Sequence, residues 1–143
     1  MEKCVTSLPG AIQPDSAELF TLVNQLAETF MNKAAHRKIC LVNEIPVHLH
    51  VKTDLQMTTS ILNGLLASLV SHAMDTSIRL SAKRYGNVIL LQARDTGSLN
   101  AMAVESHLQV LQPMAEKLKG SIAITSQRKN TTTITFGFPN LAA

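Results

Sequence analysis

Ser68 and His72 stand four residues apart in a stretch whose apolar residues recur at helical spacing. A hydroxyl and an imidazole therefore share one helix face, at the edge of its apolar arc. Further on, Arg94-Asp95-Thr96-Gly97 sets a carboxylate at the end of an apolar run, with a glycine two residues behind it. A carboxylate there is an ordinary strand-end residue that closes a turn. His48-x-His50 puts two imidazoles on one face of a strand, a spacing that metals use. No cysteine or carboxylate pattern completes that pair, so a solvated edge strand is the expectation, and no metal site is expected. Arg79, Lys83 and Arg84 cluster at a hairpin and read as a solvated face. Asp15, Glu18 and Glu28 read as capping and solvating groups. No Ser/His/Asp nucleophile motif, P-loop or Rossmann glycine pattern is present.

The elements that must position these groups follow from periodicity. Residues 1–13 show no strong period and read as a tail, with a short edge strand around Cys4 to Ser7. Asp15-Ser16-Ala17-Glu18 has the spacing of a capping box and predicts a first helix from Asp15 to about His36, with Leu19, Leu22, Val23, Leu26, Phe30 and Ala34 inward. Strands are expected over Lys38 to Glu44 and over Val47 to Val51, where Val47, Leu49 and Val51 alternate with the two histidines. Thr53 or Asp54 caps a second helix that buries Ile61, Leu62, Leu65, Leu66, Leu69, Val70 and Ala73. Ile78, Leu80 and Ala82 alternate with Arg79, Ser81 and Lys83, and Tyr85-Gly86-Asn87 turns the chain into Val88 to Ala93, an apolar run suited to the middle of a sheet. A third helix carries Val104, Leu108, Leu111, Ala115 and Leu118, with Pro113 expected to kink or split it. Lys119-Gly120 stops it. Ser121 to Ser126, a polar turn over Gln127 to Asn130, and Thr131 to Phe138 close the chain.

This order predicts an α+β fold. It is a two-layer α/β sandwich in which one mixed β-sheet of about five or six strands packs on three helices. The chain has 143 residues, enough for one domain with a core that needs no staples, taken here as 14–140 between tails 1–13 and 141–143. Aromatics are 3%, so aliphatic residues and Met57, Met74, Met102 and Met114 must fill that core. Cys40 lies in a strand pattern and reads as a buried thiol, not half of a disulfide with Cys4. The net charge of +3 is scattered, without a basic stripe interleaved with aromatics, so a nucleic-acid surface is weakly indicated. No apolar run is long enough to span a membrane and the N-terminal residues lack a signal-peptide pattern, so a cytoplasmic location is expected.

With these motifs in order, the chain resembles the ATP-binding domain of sensor histidine kinases, the Bergerat-type fold shared with gyrase, a heat-shock chaperone and MutL. The resemblance covers roughly Pro14 to Pro139. It rests on Ala17-Glu18-Leu19, Thr53-Asp54-Leu55 ahead of Ile61-Leu62-Asn63-Gly64-Leu65-Leu66, Arg94-Asp95-Thr96-Gly97, Lys119-Gly120-Ser121-Ile122, and Thr132-Thr133-Ile134-Thr135-Phe136-Gly137-Phe138-Pro139. It implies that Asp95 meets the adenine amino group, that Gly97 belongs to the first glycine box, and that Ser68 and His72 occupy the positions of two asparagines that hold Mg²⁺ and phosphates.

The departures from the pattern concern the phosphate end. Ser68 and His72 replace the asparagines, and imidazole is a poor Mg²⁺ ligand. Leu99 stands where a second glycine is usual. Glu105, Ser106 and His107 stand where a second glycine box is usual, and Glu105 would set a carboxylate against phosphate. The lid between Gly97 and Glu105 is short. None of His36, His48, His50, His72 or His107 sits in the context of a phosphorylated histidine. The resemblance thus implies a degenerate domain, inactive alone, that serves as a signalling and interaction module in a two-component-type pathway. Its expected partner is a response-regulator receiver or a histidine kinase, with a homodimer as a further option, and no cofactor is expected. The alternative is an ATP- and Mg²⁺-binding kinase domain that phosphorylates a histidine on a separate domain or chain.

Overall fold

The computed structural model describes residues 15–97, 99–126 and 131–141. Its sheet follows from alternation. In β4 (Thr76–Tyr85) and β5 (Val88–Asp95), Ile78, Leu80, Ala82, Ile89, Leu91 and Ala93 are buried, while Arg79, Lys83, Gln92 and Arg94 face water. The two strands pair antiparallel across a tight turn at Gly86, whose φ of +59° suits a residue without a Cβ. β7 (Thr132–Pro139) pairs antiparallel with β5, β6 (Ser121–Ser126) antiparallel with β7, and β2 (Ile39–Asn43) parallel with β4. The order β2-β4-β5-β7-β6 gives the expected mixed sheet with five strands, and puts β5 in the middle. Only one face of β5 is covered, so Val88 is exposed and Leu90 half-buried despite the apolar run.

The helices cover that one face. α3 (Leu55–His72) starts at Asp54, whose side chain accepts from the Met57 N–H at 3.2 Å. It buries Ile61, Leu62, Leu65, Leu66, Leu69 and Val70, the arc read from periodicity. α4 (Ala101–Lys117) buries Val104, Leu108, Leu111 and Ala115. Pro113 does not split it: the helix runs on through the proline. Phe136 and Phe138 on β7 complete the core, their ring centres 4.8 Å apart.

The N-terminal third departs from the sequence reading. Asp15–Glu18 is a strand, β1, paired antiparallel with β3 (His50–Thr53), not a capping box. The same short polar residues suit a cap or an extended segment, and the unpaired edge of β3 decides between them. α1 (Leu19–Glu28) starts after Glu18, which caps it without a side-chain bond. The single predicted helix is two. It breaks at Thr29, whose hydroxyl bonds back to the Leu26 carbonyl at 2.7 Å, and at Phe30, before α2 (Met31–His36); both residue types are poor helix formers. Val47 and His48 form a turn after Pro46 and are exposed, so the expected strand over Val47 to Val51 begins only at His50. Cys40 is a free and exposed thiol on the outer side of β2, not a buried one. Met57 and Met114 pack against the core as expected, but Met74 and Met102 are exposed. The expected tail 1–13, Cys4 and the turn 127–130 lie outside the described residues. Asn140 is buried and Leu141 donates from its backbone N–H to the Lys52 carbonyl at 2.7 Å.

The stop after α4 has two parts with separate physical reasons. Lys119 N–H donates to Glu116 and Gly120 N–H to Ala115, the Schellman arrangement, and the residue at positive φ (63°) is Lys119. Gly120 is required instead by proximity: a Cβ there would lie 2.2 Å from the Gly137 carbonyl oxygen on β7. Opposite effects are therefore expected at neighbouring positions. Lys119→Gly should raise the unfolding free energy by about 0.5–1 kcal/mol by relieving a left-handed conformation. Gly120→Ala should lower it by about 2 kcal/mol or more, because backbone must move. Urea denaturation of both variants checks the pair.

Candidate functional site

Alternation places Asp95 on the covered side of the sheet, between Ile78 of β4 and Thr132 of β7. It is 1% exposed. A carboxylate removed from water needs donors inside the fold. It has three. The Thr76 hydroxyl donates to Oδ1 at 2.5 Å, and the backbone N–H groups of Gly97 and Leu99 donate to Oδ2 at 3.2 and 3.0 Å. Gly97 is held to glycine by the same cluster, since a Cβ there would stand 2.6 Å from Thr76 Oγ1. Asp95 and Gly97 thus form one turn, closed on itself.

The chain leaves this turn by a short route. Leu99 packs half-buried against the core, and Asn100 N–H donates to the His72 carbonyl at 3.1 Å, tying the loop to the C-terminal end of α3. The Asn100 side chain accepts from Ala103 N–H at 3.1 Å and so starts α4. α4 can lie close on α3 because Gly64 has no side chain: a Cβ there would be 2.7 Å from Leu111 Cδ2. The packed pair of helices brings the His72 ring against that of His107, centres 6.3 Å apart and nearly perpendicular, both half-buried.

Ser68 faces the core. It is 0% exposed, and its hydroxyl has no hydrogen-bond partner among the described residues. It is therefore closed to solvent, whereas His72, one turn further along α3, is half-buried beside His107. The remaining candidates are surface features. His48 is exposed in its turn, His50 faces Glu18 at 3.7 Å, and Arg79 pairs with Glu44. Among the described residues no group of three or more His, Cys, Asp or Glu side chains could hold a metal. No described helix is long and apolar enough to cross a membrane.

Thr76 and Asn100 were not legible as site residues. Asn100 carries a local signal, an Asn directly before a helical run. Thr76 carries none, since only the pairing of β4 with β5 brings it to Asp95. Two substitutions test the assignment of this cluster to folding. Asp95→Ala leaves the part-buried N–H groups of Gly97 and Leu99 unpaired and should cost about 1–3 kcal/mol of stability. Ser68→Ala removes an unpartnered buried hydroxyl and should be neutral or stabilising by about 1 kcal/mol. Denaturation midpoints of the two variants, measured without nucleotide, check both.

No protein-family model matches the chain, and no curated protein matches it by sequence. Solved structures do match it by shape. The nucleotide-free catalytic domain of histidine kinase ThkA superposes with a TM-score of 0.72 at 12% identity, covering 90% of this chain and 98% of that one. Histidine kinase AdeS of Acinetobacter baumannii gives 0.75 at 13% identity, covering 91% and 70%. ThkA in complex with the response regulator protein TrrA gives 0.71 at 16% identity, covering 89% and 42%. The chain has the histidine kinase-like ATPase fold of these catalytic domains.

Proposed function

We propose that the chain is a degenerate histidine kinase-like ATPase domain that acts as a signalling and protein-interaction module in a two-component-type pathway, with weak or no ATP binding. The observation that carries this reading is the closed Asp95 turn. The carboxylate that would meet the adenine amino group already takes two backbone N–H groups and a hydroxyl from its own chain. Three further features support it. Ser68 is enclosed in the core. The loop is fastened to α3 at His72 where a lid would hinge. The first turn of α4, where a phosphate would seek free N–H groups, is capped by Asn100.

A response-regulator receiver or a histidine kinase is the proposed partner, supported by the ThkA–TrrA complex among the structures of like shape. Isothermal titration calorimetry of Mg-ATP into the chain should give no saturable isotherm up to about 1 mM ligand, whereas micromolar affinity, a binding free energy of about −8 kcal/mol, would saturate far below that concentration. Micromolar Mg-ATP binding abolished by Asp95→Asn would overturn the reading. It would install the alternative, a domain that phosphorylates a histidine on another chain.

A further inference from the structure

His72 and His107 bring two imidazole rings together from two different helices. His72 ends α3 and His107 lies two turns into α4, on helices fixed to each other by the Gly64–Leu111 contact and the Asn100–His72 hydrogen bond. Their rings are half-buried, 6.3 Å between centres at an interplanar angle of 83°. Among the described residues neither imidazole has a hydrogen-bond partner, so their nitrogens are available to a ligand.

We propose that His72 and His107 form a two-histidine site for a borderline transition-metal dication (Cu²⁺, Ni²⁺ or Zn²⁺), with water in the remaining positions. Imidazole is the preferred donor for these ions, whereas Mg²⁺ requires oxygen. The spacing fits. A metal–nitrogen bond of about 2.0–2.1 Å puts each ring centre roughly 3.2 Å from the ion. Two rings on one ion are then roughly 5.2 Å apart at the tetrahedral angle and roughly 6.4 Å apart when trans. The observed 6.3 Å between ring centres, at an interplanar angle of 83°, lies within the reach of one shared ion once side-chain rotation turns a nitrogen of each ring towards it. A side-chain rotation closing the pair by about 1 Å reaches the tetrahedral arrangement of Zn²⁺. The ion would clamp the end of α3 to the start of α4. Neither imidazole takes part in the hydrogen bonds to Asp95.

The test uses the tag-free chain, stripped of metal with EDTA and dialysed, in a His48→Gln/His50→Gln background that removes the exposed histidine pair. Thermal melts with Ni²⁺ added up to about 1 mM should show Tm rising by several degrees with a micromolar midpoint, as for any ligand of the folded state alone. The rise should vanish in both His72→Gln and His107→Gln. No rise, or a rise that survives His107→Gln, overturns the proposal. Because glutamine changes the packing of the cleft, a second measurement leaves both rings in place. The paramagnetic resonance spectrum of the Cu²⁺-loaded background chain should report two imidazole nitrogens; one or none overturns the proposal equally.

Discussion

A buried carboxylate dictates the course of the chain after the central strand. Asp95 sits where alternation would place a Val or Ile, and at 1% exposure it has no recourse to water. It must draw its donors from nearby backbone, and the nearest are the N–H groups of Gly97 and Leu99. Wrapping the loop around the carboxylate turns the chain back over α3. That sets Asn100 within reach of the His72 carbonyl, and Asn100 in turn starts α4. One polar residue in an apolar row thereby fixes a turn, a crossing and the first residue of a helix. Thr76 completes the arrangement from the neighbouring strand, which couples the turn to the register of β4 against β5.

The same chain of contacts explains how a two-layer fold of this size is held with few aromatics. α3 is the shared wall: its buried residues face the sheet on one side, and Gly64 admits Leu111 of α4 on the other. Backbones approach closely where side chains are absent, at Gly64 between helices and at Gly120 beside Gly137 between the end of α4 and β7. Polar caps then seal the exposed ends. Arg37 donates to the Ala73 carbonyl past the end of α3, and Gln112 pairs its side-chain amide with both the N–H and the carbonyl of Ile122 on the outer side of β6. The second contact gives an edge strand the hydrogen bonds that a further strand would have supplied, which blunts pairing with another chain.

What could be read from sequence and what could not divide along a physical line. The arc of α3, the alternation of β4 and the turn at Gly86 were legible because each depends on residues within a few positions of one another. The fate of Asp15–Glu18 was not, because a cap and a short strand use the same residue types and only the free edge of β3 distinguishes them. Cys40 was misplaced for a related reason. On an edge strand with one face open, an apolar neighbourhood in sequence does not mean burial in space. In the candidate site, the types of Asp95, Gly97 and His72 were visible, but their partners Thr76 and His107 come from elements 19 and 35 residues away (95 − 76 and 107 − 72).

A site built to bind a ligand keeps polar groups unsatisfied until the ligand arrives, and that reserve destabilises the free protein. In this chain the reserve is small. The Asp95 carboxylate is answered from within, and the loop that would open over a ligand is a few residues long and bonded at its far end. Short loops cost little closure entropy, so a short loop with its hydrogen bonds filled favours the closed form. Reopening the turn would break the two N–H bonds to Asp95 and the one to His72 together, since Leu99 and Asn100 are consecutive and cannot move separately. The cooperative unit therefore includes the end of β5, the loop, the end of α3 and the start of α4. Any ligand of the Asp95 turn has to oppose that whole unit, whereas a ligand of the outer surface does not.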